Sequence, residues 1–423
     1  MTTAQPQTLA QKLIARAAGR EQVAVGEVVT CRIDLAMFHD SSGPRRLAPL
    51  LQQLGTGIWD KSKVVLITDH YVPEQDDDSR QILRFTRDWA REQALPHVHD
   101  AVGICHVVLP QQGHLRPGMF AVGGDSHSTT GGAFGVYMFG VGASDLLGAV
   151  ATGETWVRVP PTQFMQWHGR LAPGVCAKDM ALHLAGRFGM NGAGYGALEF
   201  CGEAVRALDM EERMTLSNMS AELGAQVGLI APDATTRRWL DTVGAGPAEP
   251  GDWRSDEGAE GERFDFDAGA LSPQVAAPHS PANAAPVAEH AGTAIDLAYI
   301  GSCTGAKLAD MRAAAQVLRG RRVAGGVSLR LAPASLRDQE AARADGSLQV
   351  LLDAGADLLA TSCGACSGYG AVVPEGATVI STTARNFKGR MGAATARVYL
   401  GSPYTVAAAA LRGRIGDPRE VMA

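Results

Sequence analysis

The sequence predicts an α/β protein built on largely parallel sheets, and three observations predict it. Short apolar runs alternate with polar loops and amphipathic stretches. Asp, His and Cys residues cluster just after those apolar runs, where parallel sheets hold their ligands. Two stretches rich in Gly, Pro and Ala interrupt the pattern and divide the chain.

Each element follows from its own pattern. Residues 9–18 have the apolar spacing of an opening helix. Residues 63–68 (KVVLIT) are an apolar run, hence a buried strand, ending at Asp69-His70. Residues 79–93 are amphipathic with helical period. Residues 120–124 (FAVGG) form the next strand and end at Asp125-Ser126-His127, and residues 143–153 are helical. Residues 244–261 and 276–286 are turn-rich and polar, and both are expected as exposed connections at a domain boundary. Beyond them the pattern resumes. A strand at residues 298–300 leads to Cys303, a helix follows at 308–318, and another strand lies at 327–331.

Composition bounds the function. The chain has 423 residues, 46% hydrophobic and 19% charged, enough for two or three domains with large cores. A net charge of -6 argues against a general binder of nucleic acid or anionic membrane, so anionic ligands need local arginines. No apolar stretch is long enough to span a bilayer, and the polar start, residues 1–7, has no signal-peptide core, so a cytoplasmic location is expected. Seven scattered cysteines do not make a disulfide framework. Cys31, Cys176 and Cys201 are expected to be plain buried side chains.

Three other cysteines stand in glycine-rich settings. Cys303 lies in Gly301-Ser302-Cys303-Thr304-Gly305, and Cys363 and Cys366 lie in Ser362-Cys363-Gly364-Ala365-Cys366-Ser367-Gly368. Two thiolates at C-x-x-C spacing can grip one metal centre, and a third can arrive from a distant loop. Three protein ligands suit a four-iron cluster that leaves one iron open as a Lewis acid. By itself the C-x-x-C spacing also fits a redox pair, half a zinc site or two buried thiols. Asp69-His70, Cys105-His106 and the Asp125-Ser126-His127 block bring imidazoles beside carboxylates, as proton transfer requires. Arg385 and Arg390 carry the guanidinium forks that bind carboxylates.

These residues, taken in order, resemble the aconitase superfamily from about Thr8 almost to the C-terminus. The matching blocks include His39-Asp40-Ser41-Ser42-Gly43-Pro44, Asp69-His70 with Pro73, and Gly103-Ile104-Cys105-His106. Further blocks are Gly124-Asp125-Ser126-His127, Ala177-Lys178-Asp179 and the Asn218 to Glu222 region. Pro278-His279-Ser280-Pro281, the Cys303 loop and Arg385-Asn386-Phe387-Lys388-Gly389-Arg390 complete the series.

The resemblance implies three α/β/α subdomains around a cleft, at residues 1–166, 167–290 and 291–423, without the family's swivelling domain. It implies a [4Fe-4S] cluster, one per subunit, on Cys303, Cys363 and Cys366, with Asn218 beside it. It pairs His70 with Asp69, His106 with Asp125 and His127 with Glu222, and makes Asp69-His70 the acid for the departing hydroxyl. His39, Ser126, Arg385 and Arg390 would hold the substrate. The implied reaction is dehydration and rehydration of a hydroxy di- or tricarboxylate, 2-isopropylmalate to 3-isopropylmalate in leucine synthesis being the leading case. Homoaconitate, citramalate-type and alkylmalate isomerisation are the alternatives within that chemistry. No Gly-Ser-Ser-Arg run occurs, so the serine base and a further arginine would come from a separate small subunit. Other classes carry less: an RNA-binding relative that has lost its cluster, or a zinc-bound structural or redox protein.

Two positions depart from the family pattern. Gly305 follows Cys-Thr where asparagine is usual, and Ala384 precedes Arg385 where asparagine is usual. Both changes are expected to remove hydrogen bonds near the cluster and to leave space for a different substrate.

Overall fold

The computed structural model describes residues 5–422; residues 1–4 of the polar N-terminal segment and residue 423 lie outside the described part. The opening helix spans Leu9–Ala17 and starts on a capping box. The Thr8 hydroxyl accepts from the Gln11 N–H, and the Gln11 side chain accepts from the Thr8 N–H. Strand β1 (Val28–Arg32) follows and pairs antiparallel with β7 (Glu154–Arg158).

Between them lies a five-stranded parallel sheet. Its strands are β2 (Leu35–His39), β3 (Val64–Thr68), β4 (His97–Asp100), β5 (Phe120–Gly123) and β6 (Tyr137–Gly140), in the order β4-β3-β2-β5-β6. β2, β3 and β5 are buried along their whole length, which is why they read as apolar runs without alternation. Helices Asp77–Glu92 and Ala143–Thr152 match the amphipathic stretches in the sequence.

A second parallel sheet, order β10-β9-β8-β11, contains β8 (Thr162–His168), β9 (Ala197–Cys201), β10 (Val227–Leu229) and β11 (Glu262–Asp267). The third is larger. It holds β12 (Gln274–Ala276), β13 (Ala284–Pro286), β14 (Leu297–Ile300), β15 (Ser328–Leu331), β16 (Ala356–Leu358), β17 (Thr378–Ser381) and β18 (Arg397–Gly401). Their order is β13-β12-β18-β17-β14-β15-β16. β14 to β18 run parallel, and β12 joins β18 and β13 antiparallel. The architecture is α/β with parallel sheets, as expected.

Two expectations change. Residues 244–261 carry no helix or strand, but residues 276–286 are not mere connection. Ala276 ends β12 and residues 284–286 form β13, the edge strand, where a proline is tolerated because no neighbour needs its N–H. Cys31 is buried, whereas Cys176 and Cys201 are only half-buried. Among the described residues, no helix is long and apolar enough to cross a membrane.

The strand orders place the chemistry. In the first sheet the order reverses between β2 and β5, so the loops that start at His39 and Asp125 open side by side. In the third sheet it reverses between β14 and β17, so the Cys303 loop opens beside Thr382 to Arg385. The two units meet backbone to backbone, where Ile104 N–H donates to Ala334 C=O at 2.8 Å and Leu336 N–H donates to Val102 C=O at 2.9 Å.

Gly103 permits that contact. Its φ is +142°, and a Cβ there would stand 2.6 Å from both Ala334 O and Ser335 Cα. Gly103→Ala is therefore expected to lower stability by about 1–3 kcal/mol. The denaturant midpoint of the purified chain checks this, and an unchanged midpoint would show that the two units do not depend on this approach.

Candidate active site

The site forms where loops from the two switch points face each other. On one side, Asp40 begins the arrangement. Its carboxylate accepts three successive N–H groups: Asp69 at 3.3 Å, His70 at 3.1 Å and Tyr71 at 2.8 Å. That fixes the loop after β3. Asp69, fully buried, then accepts from His70 Nδ1 at 2.6 Å and from the Cys105 N–H at 2.8 Å. Its own carbonyl accepts the Cys363 N–H at 2.9 Å. One residue thus ties the imidazole, the helix Cys105–Gln111 and the C-x-x-C loop together.

Asp125 is the second centre. Its Oδ1 accepts from His106 Nε2 at 2.9 Å and from the His127 N–H at 2.8 Å. Its Oδ2 faces His39 Nε2 at 3.8 Å and His70 Nε2 at 4.0 Å. His39 and His70 are stacked, with centroids 3.9 Å apart. Two imidazolium rings could not stack so closely in a buried site, and the local charges keep them different. Burial lowers His39 to about 3, with the charge of His70 adding to the effect. Burial opposes charge on His70 too, but the Asp69 carboxylate outweighs it and raises His70 to about 9. Asp69 is held at about 2 against its own burial by His70. Asp125 lies well below the usual carboxylate range, because His106 and His127 outweigh the cost of burying it.

The third pair continues toward the arginines. Glu222 Oε1 accepts from His127 Nε2 at 3.0 Å and from Arg385 Nε at 2.6 Å. Burial would raise Glu222, but these two partners lower it. Arg385 and Arg390 line the mouth with His39, His70, Asp125 and Ser367, around a cleft of about 400 Å³. Ser126 is exposed at the same strand end and makes no hydrogen bond of its own.

The C-x-x-C loop reaches this cleft through Ser367. Cys303 and Cys366 are buried and Cys363 is half-buried. Asn218 Nδ2 donates to Cys303 Sγ at 3.3 Å and to Thr130 Oγ1 at 2.8 Å. The adjacent Cys363 lowers Cys366 despite burial, with Arg390, His127 and Arg385 adding positive charge. Burial pushes Cys303 up to about 12.

These residues fit an iron–sulfur cluster better than a single ion. Zinc would hold thiolates about 2.3 Å from itself and so within about 4 Å of one another. Among the described residues, the groups whose ligand atoms all lie within 4.8 Å of one another are His39-Asp40-Asp69-His70 and His106-Asp125-His127, and neither contains a cysteine. The three sulfurs are spread more widely than one ion's shell. Buried polar atoms here also lack partners within the protein: Tyr299 OH, whose charge environment includes Cys366 and Cys363, Glu222 Oε2, His39 Nε2 and Arg390 Nε.

The space expected at the two departures is not there. A Cβ on Gly305 would stand 2.1 Å from Thr382 Cβ, so Thr382 fills that position. Ala384 is fully buried and packed among the apolar side chains around the second sheet. Sequence reasoning assigned no role to Asp40, Lys178 or Tyr299. Asp40 stands beside His39 and Lys178 in the Ala-Lys-Asp block, so a signal existed, but their partners come from distant loops.

The chain matches the aconitase family (aconitate hydratase) over residues 11–294 and 288–413. It belongs to the aconitase family, a class of hydro-lyases. It is similar throughout its length to proteins named 3-isopropylmalate dehydratase large subunit. That of Methanopyrus kandleri is 41% identical over 414 residues, covering 97% of this chain and 99% of the relative. That of Nitratidesulfovibrio vulgaris is 40% identical over 415 residues, covering 97% and 99%. That of Pyrococcus furiosus is 39% identical over 421 residues, covering 98% and 99%. Family membership implies an iron–sulfur cluster.

The raised His70 and lowered Asp69 give a pH signature. The His70 contribution to stability is fully present below the ordinary histidine value of 6.5 and is lost as pH rises through about 9. The Asp69 contribution is present above the ordinary value of 3.8 and is lost as pH falls toward about 2. The chain should therefore lose more stability between pH 7 and pH 10 than its His70→Asn variant does. Denaturant midpoints at both pH values check this, and equal losses would remove the ion pair from the account.

Proposed function

We propose that this chain is the large subunit of a heteromeric hydro-lyase that interconverts 2-isopropylmalate and 3-isopropylmalate for leucine synthesis. The observation that carries the reading is the facing arrangement. A carboxylate-bound His70 and two arginines line a cleft together with Ser367, the residue after Cys366, and the Cys363 N–H binds the Asp69 carbonyl behind His70. The names of the chain-long relatives support the substrate.

Cys303, Cys363 and Cys366 would hold one [4Fe-4S] cluster per subunit, with Asn218 donating to the Cys303 sulfur. The chemistry such a cluster supplies when bound is Lewis-acid polarisation of a C–O bond. His70, kept charged by Asp69, delivers a proton to the departing hydroxyl, which leaves as water. Asp125 holds His106 and faces the open edges of His39 and His70, keeping the proton donors oriented. Glu222 fixes both His127 and Arg385, so the guanidinium meets a substrate carboxylate already oriented. Arg390, His39 and Ser126 complete the binding of the substrate's oxygens. Positive charge at this wall stabilises the negative charge that develops when the carbon beside a carboxylate loses its proton. A separate small subunit supplies the base for that proton, and water returns to the adjacent carbon in the reverse step.

Filled space at Gly305 and Ala384 favours the relatives' substrate over a bulkier alternative. Anaerobic reconstitution with iron and sulfide tests the reading. The expected result is a four-iron cluster whose EPR spectrum changes on adding 2- or 3-isopropylmalate, and turnover only when a small subunit is present. No iron–sulfur uptake would overturn it, and RNA binding by the apo-chain would then point to the regulator class.

Substitution sorts the roles. Cys303→Ser, Cys363→Ser and Cys366→Ser should each lose the cluster and all activity. Full iron content and activity in any one removes that residue from the ligand set. His70→Ala should keep its iron while turnover falls roughly 10²–10⁴-fold. Normal turnover there would move the acid elsewhere.

A further inference from the structure

Two lysines are buried behind the Cys303 loop, and only one has a carboxylate. Lys307 Nζ donates to Asp310 Oδ2 at 2.8 Å, and also to Thr215 Oγ1 and the Cys303 carbonyl. Lys178 is 1% exposed and sits on the first turn of the helix Ala177–Phe188. Its ammonium donates to Thr304 Oγ1 at 3.0 Å, Thr382 O at 3.0 Å and Thr383 O at 2.8 Å. All three oxygens are neutral, as is Met219 Sδ at 3.8 Å. Among the described residues, no carboxylate lies within ion-pair distance of it. Neighbouring Asp179 is used elsewhere and accepts from the N–H groups of Cys176 and Gln274.

A buried ammonium without an opposite charge costs several kcal/mol. Such a group persists in a packed interior when something anionic compensates it. Burial lowers Lys178 to about 8; of the charges around it Cys303 raises it most, Lys307 opposes, and Asp310 and then Cys366 add to the raising. The three acceptors belong to the loops after β14 and β17, the pair that opens at the switch point of the third sheet. Lys178 thus brings a positive charge from the second unit to the floor of the cysteine site.

We propose that Lys178 is a positioning residue whose ammonium is the protein's own counter-charge to a thiolate-held iron–sulfur cluster. The inference rests on the cluster reading above. Lys178 holds the two loops that carry Cys303 and Arg385 in register, and its charge favours the more negative, reduced state of the cluster. Net charge and hydrogen bonding are the levers that set the potential of such clusters.

The test uses the reconstituted full chain and the variants Lys178→Arg, Lys178→Gln and Lys178→Met. The readouts are the reduction potential from EPR-monitored titration and the rate of iron loss to a chelator. Lys178→Met and Lys178→Gln should both shift the potential to a more negative value and speed iron loss about tenfold. Lys178→Arg should stay close to the parent. The glutamine variant is neutral but keeps two N–H donors for these oxygens, so it retains part of the hydrogen-bonded scaffold without the charge and serves if the methionine variant does not fold. An unchanged potential in the glutamine variant would overturn the proposal. Failure of the parent chain itself to take up iron would instead overturn the cluster reading on which it stands.

Discussion

The site is held together by Asp69. A carboxylate with no exposure is costly unless its oxygens are hydrogen-bonded, and here both are. It binds the His70 ring and the Cys105 N–H, while its backbone carbonyl takes the Cys363 N–H. The same residue therefore sets the protonation of His70, the start of the helix that carries His106, and the position of the C-x-x-C loop. Asp40 makes this possible by capturing the three N–H groups of residues 69–71, so the loop after β3 cannot swing.

Charge is then distributed so that each group has one state. His39 is neutral and His70 is cationic although the rings stack, because Asp69 touches only one of them. Glu222 anchors His127 and Arg385 together, which keeps a guanidinium and an imidazole oriented toward the cleft without letting them drift into solvent. On the opposite wall, Lys178 and Lys307 bring positive charge beneath the thiols, and the arginines bring it above them. Positive groups are gathered locally at this site in a chain whose net charge is negative.

Much of the site could be read from residue order. The Asp69-His70 dipeptide, the Asp125-Ser126-His127 block and the C-x-x-C spacing are compact, and the first two follow strands whose burial makes an unbroken apolar run. Other features were not legible. Lys178 meets its oxygens at separations of 126, 204 and 205 residues, so no local pattern marks it as part of the cysteine site. Gly305 looked like lost bulk, yet Thr382 occupies the place, because the loops after β14 and β17 are neighbours. Residues 276–286 looked like linker by composition, and pairing of β13 with β12 made part of them a sheet edge.

Residue type and short-range order settle the α/β class, the strands buried on both faces, the cysteines available as ligands and the imidazoles available as acids. These depend on apolar period, on turn chemistry and on the intrinsic acidity of side chains, all of which are local. Which histidine carries the proton, which lysine lacks a carboxylate and which gaps are filled are settled only by the folded arrangement. Those properties come from desolvation and from charges a few ångströms apart, and the chain order of such neighbours carries no trace of their distance.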